Sequence, residues 1–339
     1  MRQEQSNSVL YGLMLLILVL MLILAGGCAA APSAAEQKTA EGAYEVVDDR
    51  GTTVHIPAKP VRVMTFTTGT DEVVLGVIPP ARMIAINEAY ADEKKSNLAP
   101  LAARIPNKIQ RNPAVETVLS LHPDLVIVQD WIPLDNVEAL RDMGLPVVVC
   151  KTPHNIADIK ENIRLIAASL GEGERGERLI QLMEKQLNAL TAKIAQVPAE
   201  KKGRSIALIS IMPGYGGEGC TFDDVCKYTG NYNAKALSGN KNGQAMTKEQ
   251  LVACNPDYIF LPSYEDQTSR EELYGASYMN DPSLAMMKAV RHGNIRYPWA
   301  HYIYNISQNI VFGVQEMARI LYGEDFAQPH DRHLSVADD

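Results

Sequence analysis

The sequence predicts an α/β protein of two doubly wound lobes joined by a single long helix, on three observations. One plan is written twice: Glu116 to Val128 and Glu249 to Leu261 each give a short amphipathic helix, a proline, an aspartate and four apolar residues in a row. Those unbroken rows, Leu125 to Val128 and Tyr258 to Leu261, read as strands covered on both faces, hence as parallel sheets flanked by helices. Between the two copies, the run 174–196 places Leu179, Leu182, Met183, Leu187, Leu190 and Ile194 at spacings of three and four. A helix of about 23 residues is about 34 Å long, enough to lie along two lobes side by side.

The elements follow in order. A strand at 61–67 and a helix at 71–77 open the first lobe. Strands at 83–86, 125–128 and 146–150 alternate with helices at 113–121 and 134–143, the rhythm of a parallel, helix-covered sheet. A proline cannot continue a helix and restrains the residue before it, so the repeat helices stop at Pro123 and Pro256. Asn112 with Pro113 offers a cap and a first-turn proline to the first repeat helix; Thr247 with Gln250 offers a capping box to the second. A helix at 155–170, ended by Gly171, precedes the long one, which stops before Val197-Pro198. The second lobe takes a strand at 205–211, helices at 222–228 and 248–254, a strand at 258–261 and a closing helix at 305–322. This gives a signal segment at 1–27, a flexible tether at 28–43, an N-terminal lobe at 44–170, a linker helix at 171–202, a C-terminal lobe at 203–326 and a tail at 327–339.

With 339 residues, 46% hydrophobic and 21% charged, the chain is globular and long enough for two cores. Its net charge of −8 comes without a concentrated basic face, which excludes nucleic acid as a partner. Val9 to Ala25 is apolar, broken only by Tyr11 and Gly12, and Leu24-Ala25-Gly26-Gly27-Cys28 puts small residues before a cysteine. This resembles a bacterial lipoprotein signal, with Cys28 lipidated as the mature amino terminus; an uncleaved anchor is the alternative. Either way the folded part faces the periplasm or exterior, tethered to the membrane. Cys150 and Cys254 read as buried thiols. Cys220 and Cys226, in an exported chain, form either a disulfide or two free thiols. No Cys/His spacing suggests zinc, and neither a resident metal nor a cofactor is expected.

From about Val46 to Phe326 the chain resembles the solute-binding proteins of ABC importers for iron–siderophore complexes, haem and cobalamin. Asp48-Asp49-Arg50-Gly51-Thr52-Thr53-Val54 with Pro60-Val61-Arg62-Val63 is similar to the family's opening hairpin and first strand. Leu121-His122-Pro123-Asp124-Leu125 and Asn255-Pro256-Asp257 match its internal motif, and Lys288 to Ile295 resembles the stretch before its last strand. The resemblance implies two Rossmann-like lobes with ligand held between them at the carboxyl ends of the strands, which agrees with the rule for open α/β sheets. It implies a monomer that hands a small chelated-metal ligand to an ABC permease driven by its ATPase, and not an enzyme. An exported α/β enzyme and a ligand sensor are the other classes. No GxSxG elbow, P-loop or dinucleotide fingerprint follows a strand.

Aromatics make up only 6% of the chain, yet many fall in turns after strands. The expected ligand-binding set is Thr68, Tyr90, Arg111, Trp131, Tyr215, Tyr232, Tyr264, Trp299, His301 and Tyr302. Flat rings with polar tips suit a large chelate or macrocycle, and Arg111 could fork onto a carboxylate. His301 is the one histidine placed to reach the metal of a haem or corrinoid. In the family an acidic residue on each lobe meets the permease; the matching positions are Glu72 and, in the second lobe, Asp224 with Asp223 beside it.

Overall fold

The computed structural model describes residues 42–212, 214–264, 267–329 and 332–338. The signal segment, Cys28 and nearly all of the tether lie outside them. The described chain opens with an antiparallel hairpin, β1 (Tyr44–Val47) and β2 (Thr53–Ile56). Two wholly parallel sheets follow. The first uses β3 (Val63–Thr65), β4 (Met83–Asn87), β5 (Asn107–Ile109), β6 (Leu125–Gln129) and β7 (Val147–Cys150), in the order β5-β4-β3-β6-β7. The second uses β8 (Ser205–Leu208), β9 (Tyr232–Asn233), β10 (Tyr258–Phe260) and β11 (Ile295–Arg296), in the order β11-β10-β8-β9. In each the chain winds outward from a central strand, turns back, and winds out the other way. The switch points fall between β3 and β6 and between β8 and β10, where such sheets open a crevice at their carboxyl ends.

The repeated motif has a structural reason. His122 and Asn255, each just before a proline, take the left-handed conformation with φ of 49° and 41°. That reverses the chain from helix into strand. The next aspartate then fastens the start of its lobe's first strand. Asp124 accepts from the backbone N–H groups of Val61 and Arg62, and Asp257 accepts from Ser205 through both its N–H and its hydroxyl.

The helices largely match expectation. In the first lobe these are α1 (Thr68–Val77), α2 (Ala99–Ala102), α3 (Val115–Ser120) and α4 (Leu134–Asp142). Then come α5 (Ile156–Ser169) and α6 (Gly173–Ala195). The second lobe has α7 (Thr221–Tyr228), α8 (Ala234–Leu237), α9 (Lys248–Cys254), α10 (Gln267–Tyr274), α11 (Lys288–Arg291), α12 (Ala300–Ile303) and α13 (Ile310–Tyr322). Asn155 caps α5 through its side chain, and Thr247 with Gln250 closes the capping box on α9. Asn112 does not cap α3: the chain stays extended through Ala114, which is the N-cap residue. The Asn112 side-chain oxygen instead accepts from the Asn136 amide of α4 at 3.4 Å.

Helix α6 lies against α5 and α1 and also touches α13, burying Leu179, Ile180, Met183, Leu187, Leu190 and Ile194. One hydrophobic cluster accordingly runs from first-lobe residues such as Leu75 and Val77, through α6, to Val311 and Met317. Separate clusters cover the other face of each sheet. All described residues belong to one compact unit, Glu36–Asp339. Among them no helix is long and apolar enough to cross a membrane.

Candidate functional site

The carboxyl ends of the two sheets meet. From the first lobe, the turn after β4 reaches across, and the Lys94 carbonyl accepts the indole N–H of Trp299 at 3.2 Å. Lys95 lies over the Tyr264 ring, 5.8 Å from its centre. At the heart of this seam stands Glu72 on α1, only 3% exposed. Its Oε2 accepts from the side chains of Asn305 (2.7 Å), Asn309 (2.9 Å) and Ser307. Its Oε1 lies 3.0 Å from His301 Nε2, a charge contact, and 3.1 Å from the Tyr90 hydroxyl. Burial alone would raise this carboxyl; the hydrogen bonds and charge of His301, with Ser307 and Asn305, outweigh it and hold Glu72 down at about 2. Its neighbour Asp71 goes the other way. Burial pushes that carboxyl well above the ordinary range, the Asn87 N–H opposes this, and the Glu72 charge adds to it.

A face of α1 explains the close fit. Gly69, Glu72 and Gly76 sit at i, i+3 and i+7 on one side of the helix. A Cβ on Gly69 would come within 2.8 Å of Ile306, and one on Gly76 within 2.5 Å of the Gln308 amide. The two glycines let the turn 305–309 approach α1 on either side of the carboxylate. This turn also explains why the closing helix starts at Ile310 and not at 305. The side chains of Asn305, Ser307 and Asn309 are spent on Glu72, and Gln308 donates to the Glu72 carbonyl at 2.8 Å.

Several expected residues are thereby placed elsewhere. Glu72 is buried in the seam and presents no carboxylate to a docking partner. Asp224 is half-buried, its Oδ2 accepting from the Ile156 N–H at the start of α5, while Asp223 pairs with Lys227 at 2.8 Å. Neither is a free surface acid. Tyr90, Trp299 and Tyr302 are buried. The edge of Tyr302 meets Trp299 at 4.6 Å, and its hydroxyl donates to Pro329 O. His301 is engaged with Glu72 and stacked at an angle on Trp299. Tyr232 lies beside Ser205, at the amino end of the second sheet, and is 54% exposed there. Cys220 and Cys226 are separate buried thiols, the first donating to Gly217 O. Cys220 is the N-cap residue of α7, and the five residues between the two thiols lie on that helix.

What remains at the carboxyl ends is an accessible rim. In the first lobe Thr68 is exposed, and the Arg111 guanidinium lies 4.2 Å above the Trp131 ring, whose N–H donates to Gln129 Oε1. In the second lobe Tyr264 is partly exposed, and Tyr215 packs its edge on Tyr304 at 5.3 Å and bonds Thr221. Sequence reasoning missed one residue here: Arg270 of α10 lies 4.9 Å over the ring of Tyr297, itself in a turn after a strand, and donates to Ser263. Its signal was faint, an arginine between Ser269 and Glu271 in a polar run. Among the described residues no group of three or more His, Cys, Asp or Glu converges to hold a metal ion.

Comparison with known proteins agrees with this architecture. The family described as periplasmic binding protein matches residues 63–298. An uncharacterized ABC transporter substrate-binding lipoprotein of Bacillus subtilis (strain 168), YvrC, is 22% identical over 312 residues, covering 87% of this chain and 91% of that protein. The apo periplasmic haem-binding protein RhuT from Roseiflexus sp. RS-1 has a TM-score of 0.64 at 20% identity, over 79% of this chain and 99% of its own. The molybdate-bound MolA of Haemophilus influenzae has a TM-score of 0.66 at 18% identity, over 82% and 91%. At such identities the structures establish a shared fold. With two doubly wound sheets meeting at their carboxyl ends and a family match over most of its length, this chain belongs to the periplasmic binding protein family.

Proposed function

We propose that this chain is the extracytoplasmic solute-binding component of an ABC importer, anchored through a lipid on Cys28, and that it captures an iron–siderophore or related metal chelate for delivery to the permease. One observation carries the ligand class. At the carboxyl ends of both sheets, cations lie over aromatic rings: Arg111 over Trp131, Arg270 over Tyr297 and Lys95 over Tyr264. A cation held on a ring keeps its charge while part of its hydration is already gone, so it receives an anion cheaply. The rings supply flat apolar area beside it. That combination suits a bulky anionic chelate. Capture takes place at this rim, because the residues deeper in the seam are packed against one another. Haem and corrinoids remain within the same chemistry, but His301 is engaged by Glu72, so axial ligation by it carries no support.

The test uses the purified mature protein and quenching of its tryptophan fluorescence. Ferric hydroxamate and catecholate siderophores, haemin, cobalamin and molybdate are titrated in parallel. Saturable binding of a ferric chelate without chemical turnover, weakened at least tenfold by Arg111→Ala, is expected. Binding of molybdate alone, or conversion of a ligand to product, overturns the chelate reading.

A further inference from the structure

The seam is fastened from two sides, and the fastenings differ in kind. On one side α6 joins the lobes through an apolar stripe, Leu179, Met183, Leu187, Leu190 and Ile194. On the other, the turn 305–309 grips the Glu72 carboxylate through polar groups, seated between Gly69 and Gly76, with the Ile306 side chain packed on Gly69. The end of the chain backs that turn. Leu334 N donates to Asn309 Oδ1 at 3.0 Å, and the Gln308 amide, which also holds the Glu72 carbonyl, donates to Leu334 O. His333 Nδ1 lies 3.0 Å from the Asn309 amide nitrogen. The segment then crosses onto α1: Ser335 donates to Leu75 O and Val336 N to Gly76 O, with Leu334, Val336 and Ala337 buried. Asn97 holds its start through Arg332 O.

Parting two apolar surfaces exposes them to water at about 25 cal/mol per Å2 with nothing gained in return. Parting a carboxylate from amides and hydroxyls exchanges protein hydrogen bonds for water ones, at a net cost of about 1.5–3 kcal/mol each. Water can take the place of the carboxylate's partners but not of the apolar stripe's, so the polar side yields first. We propose that Glu72, the turn 305–309 and the terminal segment 332–338 form a polar latch, and that its release, with α6 staying packed, is the motion that parts the lobes at the ligand rim. The latch is a property of the chain itself and holds whatever ligand the rim takes.

Backbone hydrogen exchange, followed by mass spectrometry on the ligand-free full chain, tests this. Two variants are compared with wild type: Glu72→Gln, which removes the charge, and Val336→Pro, which removes the N–H that reaches Gly76. Exchange at least tenfold faster across 306–309 and 334–337 in either variant, with α6 protected as in wild type, supports the latch. Faster exchange of α6 in step with the turn means that the seam opens only by general unfolding and overturns it. Unchanged exchange in both variants overturns it as well. Should Glu72→Gln fail to fold, Val336→Pro decides alone, since it leaves the carboxylate and its donors in place.

Discussion

Asp124 and Asp257 do the same work in the two lobes: each sits one residue after the proline of its motif and bonds the chain entering the lobe's central strand. The backbone N–H groups repeat the pattern, Asp124 N to Arg62 O and Asp257 N to Ser205 O. Their surroundings differ, since the Asp124 bonds are exposed and those of Asp257 are partly buried. Water replaces a lost acceptor only where it can reach. Asp257→Ala is therefore expected to cost about 1–3 kcal/mol, and Asp124→Ala about 1 kcal/mol or less. Urea unfolding of the two variants checks the order, and a reversed ranking removes the argument.

Glycine on α1 is a matter of room. Gly76→Ala puts a methyl within 2.5 Å of the Gln308 amide and 2.8 Å of Leu179. Overpacking of this sort costs about 1–3 kcal/mol. Gly173 at the start of α6 has nothing within 4 Å of a built Cβ. Alanine there is expected to be neutral or to stabilise by about 0.5 kcal/mol. Thermal unfolding of the pair separates close approach from a general dislike of substitution.

The Glu72 carboxyl gives the fold an acid-sensitive component. Its folded value of about 2 lies below the usual 4.5, so the interaction is fully present above pH 4.5 and is lost as pH falls toward 2. Facing it are His301, His333, Tyr90 and Asp71. Asp71, raised by burial, has the opposite sign: protonation in acid relieves it and offsets part of the loss. Between pH 5 and 3, wild type is expected to lose about 2 kcal/mol more than Glu72→Gln. Denaturant titrations at the two pH values measure this. Equal losses assign the acid sensitivity to other groups.

Ligand affinity distinguishes the carboxyl ends of the two sheets from the amino end of the second. Trp131→Ala and Arg270→Ala at the carboxyl rims should each weaken capture by about tenfold or more. Tyr232→Ala, at the amino end beside Ser205, should leave it unchanged. A Tyr232 variant that binds poorly would place the ligand on the wrong side of the sheet.

Fold was legible because it rests on patterns that tertiary packing reinforces. The four-residue apolar rows became β6 and β10, the spacing of three and four became α6, and the Thr247 capping box formed as written. The site was legible only as a list of turns. Trp299 and Tyr90 do follow strands, yet the meeting of two lobes buries them, and no pattern within one turn shows what the other lobe brings. Tyr232 failed for a simpler reason: β9 is two residues long, and its pairing with the start of β8 reverses which end of the sheet it occupies. Glu72 had a readable signal in Gly69 and Gly76 flanking it on one helical face. That spacing says that something packs there, and so argues against a carboxylate offered to solvent.

The terminal segment carries a lesson about order of assembly. Ser335 completes hydrogen bonding to Leu75, 260 residues earlier in the chain. The first lobe can build its sheet as soon as it emerges, but one flank of its opening helix stays bare until the final residues arrive. Removal of residues 334–337 therefore leaves that flank of α1, with the Leu75 and Gly76 carbonyls, open to water.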